Sequence, residues 1–191
     1  QKPINLVKVV LFGPESTGKT TLSKQLARHY NTVWTPEYAR EYLQKKWNNE
    51  RKTCKKEDLI PIAIGQMKLE NKLATKADKI LICDTDLLET KVYSEEFYGG
   101  FVDEKLNLAA DENQYDLYLL TYIDTPWEED DLRDRPGLRL EMFNAFEKAL
   151  KKHNRPYILL RGDRDTRLKL ATEAIDKIIS SKENLYSFSD F

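Results

Sequence analysis

Gly13-Pro14-Glu15-Ser16-Thr17-Gly18-Lys19-Thr20-Thr21 is the stretch around which the rest of this chain is organised. It matches G-x-x-x-x-G-K-[ST], the phosphate-binding loop. Its glycines let the backbone turn back on itself, so that N–H groups point at phosphate oxygens. We expect all nine residues to hold a nucleotide, with Lys19 on the β- and γ-phosphates of ATP and the Thr20 hydroxyl on Mg²⁺.

The segments on either side place this loop between a strand and a helix. An apolar run at 7–12 leads into the loop, and residues 20–30 carry apolar side chains at helical spacing. The same alternation continues along the chain. It predicts strands at 32–35, 79–84, 115–121 and 156–160, and helices at 38–47, 57–77, 85–97, 103–110, 138–152 and around 168–178. Such alternation predicts a doubly wound α/β fold that binds ligands at the carboxyl ends of its strands.

The composition bounds the class of protein. The chain has 191 residues and a formal net charge of −1, which gives no basic field for nucleic acid. We expect one domain, with a core at about 7–179 and a loose polar tail at 180–191. No apolar run could span a bilayer and no signal peptide opens the chain, so we expect a cytoplasmic protein with no membrane partner.

Carboxylates follow two of the predicted strands. Asp84 ends the strand at 79–84, in the Walker-B position that holds Mg²⁺. Asp86 could reach the same ion or a sugar hydroxyl, and the alternative for either aspartate is a cap on the next helix. Glu37 follows the strand at 32–35, where it could accept a proton from an attacking hydroxyl. The alternative for Glu37 is an N-terminal helix residue that the helix dipole stabilises.

The segment after the fourth strand combines arginines, acids and a tryptophan. We predict that Arg133, Arg135 and Arg139 belong to a lid that neutralises charge on the transferred phosphoryl group. Trp127 precedes four consecutive acids, and a tryptophan face beside carboxylates favours a cationic ligand. The alternative is a solvated acidic loop whose arginines pair with its own acids.

Other classes of phosphate-loop protein fit less well. A GTPase would need glycine in D-x-x-G, where this chain has Leu87, and N-K-x-D, whose aspartate is missing at 71–74. An AAA-type motor would ordinarily be longer. Adenylate and shikimate kinases usually have a third loop glycine, where this chain has Ser16. The compact size and the arginine-bearing lid favour a small-molecule kinase.

Four motifs together resemble one family. The phosphate-binding loop is followed by Pro36-Glu37-Tyr38-Ala39-Arg40-Glu41-Tyr42, by Asp84-Thr85-Asp86, and by Pro126-Trp127 with Asp130 and Arg133. This set resembles the ribosylnicotinamide kinase domain of the NadR-type NAD-biosynthesis proteins, from about residue 7 to 179. The combination is far more specific than the phosphate-binding loop alone.

The resemblance implies a P-loop kinase three-layer fold, with a five-stranded parallel sheet flanked by helices. It also implies phosphorylation of the 5′-hydroxyl of nicotinamide riboside by ATP and Mg²⁺, giving nicotinamide mononucleotide. On this interpretation Lys19 and Thr20 hold ATP·Mg²⁺, and Asp84 completes the metal site. Either Glu37 or Asp84 takes the proton, and we favour Glu37.

The same resemblance implies contacts with the rest of the two substrates. Glu37 or Asp86 would bind the ribose, and Tyr38 of the second motif is a further substrate-binding candidate. Trp127 would receive the pyridinium ring. Arg164, after the last strand, would border the adenine.

One part of the NadR pattern is missing. The bifunctional proteins also carry an adenylyltransferase domain with an H-x-G-H motif, and neither histidine of this chain lies in such a motif. We therefore expect the kinase part alone, either free-standing or taken from a longer protein, and an adenylyltransferase as a fused or cooperating partner. A kinase of another nucleoside or small alcohol stays open, as does a non-catalytic ATP-binding regulator.

Overall fold

Five parallel strands form the centre of the computed structural model, which describes residues 6–132 and 136–187. They are β1 (Val7–Phe12), β2 (Trp34–Thr35), β3 (Ile80–Asp84), β4 (Leu117–Thr121) and β5 (Tyr157–Leu160). Their order in the sheet is β2-β3-β1-β4-β5, so that β3 and β4 lie on the two sides of β1. The middle strands are mostly apolar because both faces of a parallel sheet are covered. The predicted five-stranded parallel α/β fold is confirmed.

Seven α-helices connect these strands within the described ranges. They are α1 (Lys19–His29), α2 (Tyr38–Glu50), α3 (Leu59–Ala74), α4 (Leu87–Phe97), α5 (Glu104–Glu112), α6 (Arg139–Lys152) and α7 (Arg164–Ser187). Short 3₁₀ turns at Lys56–Asp58 and Pro136–Leu138 precede α3 and α6. Each predicted strand and helix is present, with ends that differ by a few residues except in α7, which is much longer than predicted. None of the described helices is both long enough and apolar enough to cross a bilayer.

The two faces of β1 contribute to different cores, because successive side chains of a strand point in opposite directions. Val9 packs in the core that α1 and α7 cover, with Leu26 and Ile175. Phe12 packs in the core that α4 and α6 cover, and its ring meets that of Phe146 edge to face at 5.0 Å. The sheet is therefore the middle of three layers.

The end of the chain differs from our prediction of a loose polar tail. Helix α7 continues through most of that stretch, to Ser187. Two ion pairs attach it to the domain: Lys182 Nζ lies 2.7 Å from Asp116 Oδ1, and Lys79 Nζ lies 3.3 Å from Glu183 Oε1. A polar composition suits the exposed side of a helix as well as a tail, so composition alone was misleading. Residues 188–191 lie outside the described ranges.

Parallel strands bring all their carboxyl ends to one edge of the sheet. The phosphate-binding loop follows β1 there, Glu37 follows β2, and Asp84 is the last residue of β3. Residues 122–132 follow β4, and residues 161–163 follow β5. The fold thus gathers most of the predicted site residues at this edge.

Candidate active site

The phosphate-binding loop is shaped by its close approach to β4. Gly13 has φ of +139°, and a Cβ there would lie 2.7 Å from Thr121 Oγ1. Thr17 Oγ1 donates a hydrogen bond to the Pro14 carbonyl oxygen at 2.8 Å and lies 2.7 Å from Thr121 Oγ1. Only glycine fits at position 13, because both the backbone angle and the available space exclude a side chain.

A cavity of about 660 Å³ opens in front of this loop. Loop residues 15–21 form one wall, so most of the predicted nucleotide-binding set borders it. Gly13 and Pro14 are buried and do not line it. The other walls include Glu37, Arg40, Glu89, Tyr93, Asp124, Thr125, Pro126, Glu128, Leu132, Gly162, Asp163, Arg164 and Arg167.

The ammonium group of Lys19 is held by the loop itself. It donates to the Gly13 carbonyl oxygen at 2.5 Å and to the Pro14 carbonyl oxygen at 3.0 Å, and it lies 3.2 Å from Glu89 Oε1. Burial alone would lower the pKa of Lys19, but Glu89, Glu37 and Asp84 outweigh burial and raise this pKa above its ordinary value. The site therefore holds a positive charge that phosphate oxygens can attract.

Thr20 and Asp84 form the predicted metal-binding pair. The Thr20 hydroxyl donates to Asp84 Oδ2 at 2.5 Å, while Oδ1 is buried without a hydrogen-bond partner among the described residues. Burial and the nearby Glu37 raise the pKa of Asp84 to about 6. A bound cation would favour the ionised carboxylate and give Oδ1 a partner. The described residues contain no cluster of three or more potential metal ligands. The pair thus fits Mg²⁺, which is usually bound by one or two carboxylates and by substrate phosphates.

Glu37 faces the site rather than its own helix. It is the N-cap residue of α2, yet its side chain makes no capping hydrogen bond. It lines the main cavity and also a second cavity of about 490 Å³, which Thr20, Arg40 and Asp84 border as well. The helix dipole still favours a carboxylate at this position, as the alternative holds, and the place of Glu37 on both cavities also suits a role in chemistry.

Asp86 has the contacts of the alternative that we gave, a helix cap. Its Oδ1 accepts a hydrogen bond from the Glu89 backbone N–H at 2.9 Å, and its Oδ2 accepts one from the Tyr118 hydroxyl at 2.9 Å. The side chain is fully buried and lines neither cavity. Both oxygens are used within the fold, so the structure does not support the predicted contact with a sugar hydroxyl.

Tyr38 also lies away from the cavities. It begins α2, where its backbone N–H donates to Gln66 Oε1 at 2.8 Å. Its ring lies against Gly65 of α3, so close that a Cβ on that glycine would be 2.0 Å from the ring. Tyr38 therefore packs α2 onto α3 instead of lining the predicted substrate site.

The residues that follow β4 join the phosphate-binding loop to α2, and we call positions 124–132 the acidic segment. At one end, Thr125 Oγ1 donates to the Ser16 carbonyl oxygen at 2.8 Å, and the Glu128 backbone N–H donates to Ser16 Oγ at 2.8 Å. At the other end, Arg40 donates to Asp130 Oδ2 at 2.9 Å. The acidic segment thus lies over the main cavity and is fastened on both sides.

Arg139 has the contacts of a clamp rather than those of a lid arginine. Its guanidinium donates to the carbonyl oxygens of Thr125 and Ser16, both at 3.0 Å. It also lies over the Trp127 ring, 5.7 Å from the centroid. Trp127 does not line either cavity, so its face meets a cation of the chain itself. Arg133 and Arg135 lie outside the described residues.

Arg167 is a site residue that the sequence did not reveal. It donates to the carbonyl oxygens of Thr17, Gly162 and Tyr122, at 2.6, 2.9 and 3.0 Å, and forms an ion pair with Asp124. Asp124 also accepts a hydrogen bond from the Gly162 N–H, and these contacts outweigh burial and lower the pKa of Asp124. Arg167 thereby joins the phosphate-binding loop to the segments after β4 and β5. Neighbouring Arg164, the predicted adenine contact, is exposed and lines the main cavity.

We expect Arg167→Ala to lower the free energy of unfolding by about 2–4 kcal/mol, because three carbonyl oxygens and Asp124 would lose a buried partner. Urea denaturation followed by circular dichroism measures this loss. Lys169→Ala is the matched control, since Lys169 is exposed on the same helix and should change stability by no more than about 0.5 kcal/mol. Equal effects of the two substitutions would contradict the role of Arg167.

The family of the chain follows from a comparison with family models. A model described as an AAA domain matches residues 8–167. The chain belongs to this family. The match concerns an AAA domain and not the longer AAA-type motor that we set aside on length.

Curated relatives of this AAA domain include NadR proteins. The trifunctional NAD biosynthesis/regulator protein NadR of Salmonella typhimurium is 27% identical over 184 residues, which is 95% of this chain and 45% of that protein. NadR of Escherichia coli gives the same identity and coverage. The chain therefore spans about half the length of the curated relatives that it matches. The predicted resemblance to NadR is confirmed.

Solved structures agree with this relationship. A crystal structure of NadR in complex with NR matches with a TM-score of 0.76 and 25% identity, over 92% of this chain and 52% of that chain. Thymidylate kinase from Ehrlichia chaffeensis shares the fold, with a TM-score of 0.62 and 16% identity over 92% of this chain and 99% of that chain. The predicted P-loop kinase fold is confirmed.

Proposed function

We propose that this chain transfers the γ-phosphate of ATP to the 5′-hydroxyl of nicotinamide riboside, giving nicotinamide mononucleotide and ADP. The observation that carries the proposal is the Glu37 carboxylate, which makes no capping hydrogen bond to its helix and lines both cavities beside Lys19, Thr20 and Asp84. The choice of acceptor rests on the relationship to NadR, whose structure contains NR, which we take to be nicotinamide riboside.

Each residue has one task in this reaction. Lys19 moves from its loop carbonyls to the β- and γ-phosphates, where its charge is needed. Thr20 and Asp84 would hold Mg²⁺, which would neutralise phosphate charge. Glu37 accepts the proton of the 5′-hydroxyl while the oxygen of that hydroxyl bonds to the γ-phosphorus. The bond from that phosphorus to the β–γ bridging oxygen breaks, and its electron pair leaves with ADP.

Arginines near the γ-phosphate would stabilise the charge that develops there. Arg40 is suited to this task because it lines both cavities and lies three residues after Glu37. Arg133 and Arg135 stay proposals for the same task.

The charge of the main cavity suits a cationic acceptor. Nicotinamide riboside carries a pyridinium ring, and four glutamates are among the residues that line the cavity: Glu15, Glu37, Glu89 and Glu128. Carboxylates on a cavity wall raise the local concentration of a cation. We propose that these carboxylates, more than the face of Trp127, favour the pyridinium ring, since Arg139 already lies over that face.

Nicotinamide riboside should be the best acceptor in a panel that also contains adenosine, cytidine and thymidine. Each nucleoside is offered with ATP and Mg²⁺, ADP release is followed in a coupled assay, and the product is identified by mass spectrometry. If nicotinamide riboside releases no more ADP than a reaction without acceptor, the proposed substrate is wrong. Faster ADP release with another nucleoside would favour the alternative, a kinase of that nucleoside. Thymidylate kinase has the same fold as this chain. Tight ATP binding without any product would favour a regulator.

We also propose that the product passes to an adenylyltransferase, on the same polypeptide or on a separate one. The NadR relatives are described as trifunctional and are about twice as long as the aligned region. A cytoplasmic location fits this proposal because the reaction consumes ATP.

A further inference from the structure

Glu89 is a buried carboxyl group of the main cavity that takes no part in the phosphoryl-transfer step described above. It lies in the first turn of α4, where Asp86 accepts a hydrogen bond from its backbone N–H and so fixes its position. The residue is only 2% exposed, yet it lines the cavity that holds Lys19 and Glu37. An ionisable side chain is rarely buried unless it has a partner.

The two oxygens of Glu89 differ in their surroundings. Oε1 lies 3.2 Å from Lys19 Nζ. Oε2 is buried and has no hydrogen-bond partner among the described residues. A buried oxygen without a donor costs free energy, so Oε2 is a place where a ligand's hydroxyl can be bound with gain.

Nucleotide binding must change this arrangement. The ammonium of Lys19 that contacts Glu89 is also the group that the phosphates of ATP require. When it turns toward the phosphates, Oε1 loses its partner as well. Both oxygens of Glu89 then lack a protein partner in the cavity that Glu37 also lines. Burial raises the pKa of Glu89 to about 8, so this carboxyl group can accept a hydrogen bond from a hydroxyl or donate one to it.

We infer that Glu89 binds a hydroxyl of the nucleoside acceptor, and that it becomes available when the nucleotide draws Lys19 away. Glu89 takes the place that the sequence gave to Asp86, whose own oxygens are bonded to Tyr118 and to the α4 backbone. The inference rests on the proposed function in one respect, since it requires an acceptor that bears hydroxyl groups. It implies that nucleotide and nucleoside strengthen each other's binding, because coupling between two sites is reciprocal.

Isothermal titration calorimetry on Glu89→Gln tests this without turnover. We expect the variant to bind the non-hydrolysable analogue AMP-PNP roughly threefold to tenfold more tightly, because glutamine competes less for Lys19. We expect the wild type to bind nucleoside more tightly with AMP-PNP than without it. In the variant this difference should vanish, and nucleoside affinity with AMP-PNP should fall roughly 2- to 10-fold, the effect of one hydrogen bond of an uncharged group.

Steady-state kinetics separate a binding role from a general structural one. With Glu89→Gln, KM for the nucleoside should rise and KM for ATP should not. Glu96→Gln is the matched control, because Glu96 is exposed on the same helix and should change neither constant. Glu89→Asp keeps the carboxyl group but shortens the reach, so it should show the same weakened nucleoside binding if Glu89→Gln does not fold. An equal rise in both KM values, or weaker AMP-PNP binding, would overturn the inference.

The panel of nucleosides keeps this test apart from that of the proposed function. If nicotinamide riboside does not bind but another nucleoside does, and that binding depends on Glu89, the proposed substrate is wrong and the inference about Glu89 holds. If no nucleoside's binding changes in Glu89→Gln, the inference is wrong whichever substrate the kinase uses.

Discussion

Substituting Lys19 by methionine should lower kcat/KM by about 10²- to 10³-fold, the usual effect of removing one group that stabilises transition-state charge. Lys19 Nζ lies within 3.2 Å of two loop carbonyl oxygens and Glu89, and Lys19 lines the main cavity. Methionine keeps much of the side chain's volume but cannot donate to a phosphate. A coupled ADP assay with varied ATP measures the change.

A control variant and a measurement of the melting temperature accompany the Lys19→Met experiment. Lys24→Met is the matched control, because Lys24 is exposed on the same helix and should keep its activity. The melting temperature shows whether the variant is folded, since Glu89 loses a buried partner. Turnover close to that of the wild type in a folded Lys19→Met protein would refute the phosphate-binding role.

Glu37→Gln should lower kcat by about 10²- to 10⁴-fold, the range found for the loss of a general base. Glutamine is close to glutamate in shape but cannot take the proton of the acceptor hydroxyl. Because Glu37 makes no capping hydrogen bond to α2, we expect a loss of stability no larger than the helix-dipole contribution of about 0.3–1 kcal/mol. AMP-PNP affinity, measured by calorimetry, should change by less than about threefold, because Glu37 is proposed to act in the transfer step and not in nucleotide binding. Replacing a residue that only binds the substrate would raise KM and leave kcat unchanged.

The variant Glu41→Gln provides the comparison for Glu37→Gln. Glu41 lies one turn further along α2, exposed and paired with Lys45. Its substitution should leave kcat unchanged. If Glu37→Gln retains kcat within about threefold of the wild type, Glu37 is not the general base, since such a base contributes about 10²-fold or more. Asp84 would then be the remaining candidate of the two.

The phosphate-binding loop and the positions of the strands around this site could be predicted because they depend on local sequence. Gly13 and Gly18 permit the turn of the loop, and the strand before it and the helix after it fix its position. Apolar runs that end in Glu37 or Asp84 mark the carboxyl edge of a parallel sheet. In each case the information lies within a few residues of the chain.

Contacts between distant segments could not be predicted in this way. Arg167 contacts the Thr17 carbonyl oxygen across 150 positions of sequence, and nothing near Arg167 indicates it. Glu89 looks like one polar residue in an ordinary helix until Lys19 is seen beside it. The sequence around Asp86 does not reveal its hydrogen-bond partner Tyr118, which lies on β4. For this reason we predicted a contact between Asp86 and a sugar hydroxyl that the structure does not support.

Ser16 is a position at which the thermal stability of the loop and its function favour different residues. Its φ of +56° lies in the left-handed region, which costs a residue other than glycine about 1–2 kcal/mol. Glycine would remove that strain but also the hydroxyl that accepts the Glu128 N–H. A glycine selected at this position for thermostability would therefore relieve the backbone strain. It would also remove one hydrogen bond that holds the acidic segment over the nucleotide site, a trade-off typical of strained functional loops.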